Sequence, residues 1–277
     1  MQIKLGFSLS YDCPAPTPML LTLSLHPSRR IDLLTPNNAL SFSPHVESWD
    51  YLDSYGNVCT RTTAPAGRLT VSAECDVYDT GLPDIVPLDA TQHPIRDLPD
   101  DTLIYLMGSR YCETDRLTDI AWQLFGQTPE GWPRVQAILD FVHNHLTFDY
   151  QRADRTRSAF DAYNQRVGVC RDFAHLALTF CRCMNIPARY CTGYLGDIGV
   201  PFNPDPMDFS GWFEVYLGGH WYTADARHNH PRIGRVLMAI GRDATDVALS
   251  TQFGPAFLSY FSVTTYEVDP ETGERIN

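Results

Sequence analysis

Cys170 lies in the segment Gly168-Val169-Cys170-Arg171-Asp172-Phe173-Ala174-His175-Leu176, where a glycine precedes a run whose apolar residues recur at helical spacing. A thiol is a poor nucleophile until it ionises, and the positive end of a helix dipole favours the thiolate. Cys170 sits where that help is available. Gly168 lets the backbone turn closely, and the N–H groups of the first helical turn can stabilise an oxyanion beside the sulfur. The chemistry this allows is nucleophilic attack on a carbonyl carbon. Cysteine is also among the most buried residue types, so the local sequence leaves a structural and a nucleophilic reading both open.

Other residues with chemical potential fall away on spacing. Cys181 and Cys183 stand two apart in a helix and point in different directions, which suits core filling better than gripping one metal ion. His143 and His145 are likewise two apart at the end of a helix, and read as surface or satisfied histidines. His175 lies five residues beyond Cys170, about 140° around an ideal helix, and is expected as a packed or hydrogen-bonded core histidine. No metal site and no cofactor is expected.

The elements that position Cys170 belong to a chain of 277 residues with net charge −12, long enough to bury a full core without metal or disulfide staples. Such a charge repels a phosphate backbone, and the arginines are scattered instead of gathered in a stripe, so no nucleic-acid partner is expected. The eight cysteines are dispersed and read as reduced thiols. The first residues carry no signal-peptide pattern and nowhere do 18 apolar residues run together. A cytoplasmic protein with no membrane partner is the expectation.

Residues 1 to about 80 alternate apolar and polar side chains in short runs, as in Ile3-Lys4-Leu5-Gly6-Phe7, and predict a β-rich, sandwich-like domain. Prolines between residues 81 and 94 break the pattern and place a boundary near residue 90, with residues 91–277 as a second domain. Beyond it the period is helical: one helix starts near Thr114, another runs from Trp132 to Leu146, and a third from Cys170 to about Met184. Strands follow at Ala188 to Leu195, Phe209 to Leu217, His220 to Ala226 and Leu258 to Val268. Helices packed on an antiparallel sheet make an α+β core.

Gly-Val-Cys-Arg-Asp-Phe-Ala-His-Leu, followed by Asn185-Ile186-Pro187-Ala188-Arg189-Tyr190 and Thr192-Gly193-Tyr194, resembles the transglutaminase-like superfamily. The motifs cover about residues 168 to 228, and the β-rich first third resembles the bacterial branch, whose members are mostly regarded as protease-like. The resemblance implies a papain/transglutaminase-like core and a Cys-His-Asp triad, in which Cys170 is the nucleophile and Asp225 the carboxylate. It implies a cysteine hydrolase that forms an acyl-enzyme on a peptide or other amide-containing substrate.

The resemblance also shows a departure. The family's histidine begins a His-Ala-Trp segment, and the matching residues here are Ser210-Gly211-Trp212. Gly218-Gly219 is a two-residue hairpin signal that pairs Leu217 with His220 and gives each pair numbers summing to 437. Ser210 and Asp225 are then diagonal neighbours on one sheet face, where a histidine at 210 would reach the carboxylate and a serine cannot act as base. His220 has the wrong parity to replace it. His228 follows the strand end marked by Asn229, His230 and Pro231, so it can turn back toward Asp225. Arg232, Arg235 and Arg242 read as solvated charges, as does Arg171 at the helix start. Two functions compete: a hydrolase using Cys170, Asp225 and His228, and a binding or scaffold protein that kept the fold but lost the base.

Overall fold

The computed structural model describes residues 1–36 and 39–276. Alternating side chains build a first group of strands, β1 (Gln2–Cys13), β2 (Thr17–Leu21), β3 (Ser41–Ser43), β4 (Ser48–Leu52), β5 (Val58–Ala64) and β6 (Gly67–Tyr78). The period-2 apolar residues of β1 and β6, such as Ile3, Leu5, Leu69, Val71 and Val77, are almost wholly buried. After the proline-rich connection come α1 (Thr114–Phe125), α2 (Trp132–His145), β7 (Thr147–Phe148), α3 (Ala159–Gln165), β8 (Val167–Gly168) and α4 (Cys170–Cys183). The chain then forms β9 (Ala188–Leu195), β10 (Ser210–Leu217), β11 (His220–Ala224), β12 (Arg235–Gly241), β13 (Ser250–Gln252) and β14 (Phe257–Val268).

Three four-stranded antiparallel sheets result: β14-β1-β6-β3, β13-β2-β5-β4 and β11-β10-β9-β12. The third carries α4 on one face, with α1, α2 and α3 packed around that helix. A helix so enclosed buries its polar side chains with its apolar ones, and Asp172, His175, Thr179 and Arg182 are buried along it. Every residue of α4 except Arg171 is buried, down to Leu176, Phe180 and Cys181 at 0% exposure. The arrangement is α+β, with a papain/transglutaminase-like core beside a β-rich first third.

The hairpin register is the one the two glycines predict: Leu217 faces His220 and Phe213 faces Ala224, and both Gly218 and Gly219 have positive φ. The end of the chain lies against its first strands: β14 pairs along the length of β1 and β13 pairs with β2. An alternating strand such as β14 has no sequence mark of which sheet it joins, and the open edge of β1 takes it. Tyr194, Ile198, Phe209, Val236 and Met238 of the helix-bearing half also share the core of the first strands. Among the described residues no helix is long and apolar enough to cross a membrane.

Candidate active site

The N-terminus of α4 is built around Asp172. Its side chain is fully buried, accepts the Val169 N–H at 2.9 Å, and pairs with Arg157 at 3.2 Å and Arg171 at 3.0 Å. Gly168 makes room for it, since a Cβ there would stand 2.5 Å from the Asp172 Cβ. Arg171 is therefore not a solvated charge. Besides pairing with Asp172, it lies over the Tyr111 ring and donates to the carbonyls of Asp154 and Arg155, because the 154–155 loop folds back over the helix start.

With the helix so anchored, Cys170 is its first residue, 8% exposed, on the wall of a cavity of about 590 Å³. Tyr190, Thr192, Asp208, Ser210 and Gly211 share that wall, closed on another side by residues from Ala244 to Leu249. Burial pushes the Cys170 thiol up, while the Arg227 charge and the Gly211 backbone N–H act in the other direction. Burial wins, so the resting group is a thiol.

Asp225 follows the end of β11, next in register to Trp212 across the hairpin. There the chain leaves the strand: the Asn229 N–H bonds back to the Asp225 carbonyl at 2.9 Å, and Asn229 adopts the left-handed region at φ 52°. That turn brings the His228 Nδ1 to 2.7 Å from Asp225 Oδ2, while the Arg227 and His228 N–H groups donate to Oδ1 at 3.0 and 3.1 Å. Arg235 donates to Oδ2 at 2.7 Å and also holds Asp84 at 2.8 Å. Burial alone would raise the Asp225 carboxyl, but the Arg235 charge and the His228 contact hold it well below the usual carboxylate range. An ionised Asp225 takes the hydrogen of Nδ1, which leaves Nε2 as the basic nitrogen. Burial lowers the His228 pKa and Asp225 only partly restores it, so the ring is neutral near pH 7.

Helix α2 supports this turn from behind. His143 donates through Nδ1 to the Ala226 and Arg227 carbonyls at 3.1 and 3.0 Å, and Asn229 donates to Asp140 at 2.8 Å. His228 lines a smaller cavity of about 80 Å³ with Tyr150, Arg227 and Arg232. Asp208, Phe209 and Ser210 line both this cavity and the one holding Cys170, so one short segment forms their common wall. The Ser210 hydroxyl is buried there, without a hydrogen-bond partner among the described residues.

The remaining residues fall as follows. His175 is wholly buried, with Nε2 accepting the Ala244 N–H at 3.1 Å, and burial pushes it down to about 3. His220 is exposed at the hairpin. Arg232 and Arg235 are buried and Arg242 pairs with Asp246, so the expected solvated basic rim does not exist. Residues 235–241 form β12 beside β9, and that buries the guanidinium against Asp225. The alternation Val236, Met238, Ile240 after Gly234 carries the strand signal that places Arg235 in the sheet.

A helix that starts on a cysteine and packs against an antiparallel sheet, with an Asp–His pair at a strand end, defines a papain/transglutaminase-like protein. The profile described as the Transglutaminase-like superfamily matches residues 119–226. A crystal structure named "Putative Cysteine Protease", from Cytophaga hutchinsonii, is 30% identical, superposes with a TM-score of 0.83 and covers 97% of this chain and 91% of its own. An uncharacterized protein of Mycobacterium leprae is 27% identical over 217 residues, which is 76% of this chain and 77% of that protein. The chain belongs to the transglutaminase-like superfamily.

Proposed function

We propose that the protein is a cysteine hydrolase that cleaves peptide, amide or ester bonds through an acyl-enzyme on Cys170, with His228 as base and Asp225 orienting it. The observation that carries this reading is the 2.7 Å contact of His228 Nδ1 with Asp225, in a cavity that shares a wall with the Cys170 cavity. His228 Nε2 takes the thiol proton, directly or through one water, as sulfur adds to the carbonyl carbon. The imidazolium then protonates the leaving amine or alkoxide, and a water activated by the same ring releases the acid. The net charge of −12 supports a substrate that is neither nucleic acid nor an anionic membrane surface. Eight unpaired, buried cysteines support a reducing, cytoplasmic setting.

Labelling with a thiol-directed acyl probe at neutral pH tests the reading. Label on the intact protein that disappears in Cys170→Ala is expected. If iodoacetamide alkylates Cys170 while acyl probes leave it untouched, the hydrolase reading is wrong.

A second reading, a binding or scaffold protein that has lost its base, is favoured by Ser210 at the family's histidine position. Under that reading only Ser210→His yields hydrolysis. Activity in the parent protein that vanishes in His228→Ala excludes it.

A further inference from the structure

Tyr190 stands on β9 and runs across the sheet face beneath the start of α4. Its ring centroid is 4.9 Å from that of His175, which stacks at 5.1 Å on Tyr111, so the phenol is held in one orientation. Its hydroxyl oxygen occupies the space where a Cβ of residue 211 would stand, far inside van der Waals contact, and only glycine admits it there. The Gly211 N–H faces the Cys170 sulfur, and Tyr190, Gly211 and Cys170 line the same cavity. Burial, reinforced by the negative charge a Cys170 thiolate carries, keeps the phenol well above its ordinary value of 10, so it remains a proton donor at every working pH. The Cys170 N–H, at the first position of the helix, is a donor the helix itself does not satisfy.

We infer that the Tyr190 hydroxyl, together with the Cys170 N–H, is the hydrogen-bond donor that holds the acyl oxygen as charge develops on it, a role that rests on the cysteine-hydrolase reading. As the C–S bond forms, the π pair of the carbonyl moves to oxygen and the thiol proton passes to His228. Tyr190 donates to that oxygen without giving up its proton. When the pair returns, the carbonyl is restored and the leaving group departs with its bonding electrons. Such a donor acts only where an oxyanion forms. Alkylation of the same sulfur by iodoacetamide proceeds at a saturated carbon and has none.

The two reactions therefore separate the roles. With p-nitrophenyl acetate as the acylating probe, Tyr190→Phe keeps the ring and is expected to lower the acylation rate constant on the order of 100-fold, with KM little changed. Gly211→Ala, whose Cβ displaces the phenol, is expected to fall as far. The iodoacetamide rate and its pH profile stay as in the parent for Tyr190→Phe. Equal acylation of parent and Tyr190→Phe overturns the assignment while the hydrolase reading stands. A parallel loss of acylation and alkylation overturns it too, since that pattern marks a thiol no longer presented. A parent that is alkylated but never acylated removes the hydrolase reading and this role together.

Discussion

At the residue scale burial sets the resting protonation of both Cys170 and His228. Cys170 keeps its proton because burial outweighs the Arg227 charge and the Gly211 N–H. Its reaction with iodoacetamide should rise with pH through a titration above the ordinary cysteine range, near 8.5 in unfolded peptides. A saturating rate below that range would show a thiolate already formed. His228 titrates in the opposite sense from a surface histidine beside a carboxylate, because burial leads and lowers its pKa. In the proposed role of base His228 acts when neutral, so kcat/KM should fall as pH drops through a value below about 6.5, and not through one above it. His228→Ala should cost roughly 100-fold to 10,000-fold and flatten that acid limb, read from pH–rate profiles of ester hydrolysis. The candidacy of Asp225 followed from the family resemblance, and that of His228 from the Asn-His-Pro break after the strand. Their 2.7 Å contact also requires the left-handed backbone at Asn229, which no spacing rule shows.

At the element scale the N-terminus of α4 is held by a buried ion cluster, and this places the thiol. Asp172 satisfies the Val169 N–H and two arginines, one of them only 4% exposed. Asp172→Ala leaves Arg157 buried and unpaired, and should destabilise the protein by about 3–5 kcal/mol in urea unfolding. Asp172→Asn keeps the N-cap acceptor and should cost less. Equal and small losses would mean that water reaches Arg157 and that the cluster is not a keystone of the helix start. Strands β9, β10 and β11 and the helices α2 and α4 were legible from periodicity to within a residue or two. Strand β12 was not, because its first residue is an arginine and charge obscured the alternation behind it. Only pairing of β12 with β9 turns Arg235 into the buried partner of Asp225.

At the scale of the whole molecule the chain closes on itself. The last long strand, β14, lies against β1, so one sheet joins the first and the last strands. Removing residues 257–277 strips one edge from β1 and should lower the melting temperature and promote aggregation, followed by calorimetry and size-exclusion chromatography. Residues 91–277 expressed alone expose Tyr194, Phe209, Val236 and Met238, which the first strands otherwise cover. That fragment is expected to be insoluble or misfolded. A fragment that folds and melts cooperatively would show two independent domains after all.

Local patterns determined much of this protein. Periods of 3.6 and 2, and a glycine before a cysteine, were enough to read α1, α2 and α4, the strands β1, β6, β9, β10, β11 and β14, the Gly218-Gly219 hairpin and the placement of Cys170 at a helix start. Those features depend on neighbours a few residues apart. Tertiary structure alone decided which sheet takes β14, that Arg235 is buried against Asp225, and that the Tyr190 phenol lies over Gly211 beside the sulfur. Each is a meeting of residues tens or hundreds apart in sequence, and its energy comes from burial and pairing that no local pattern encodes. A cysteine poised by its own helix was written in one short segment. The groups around it were assembled by the fold.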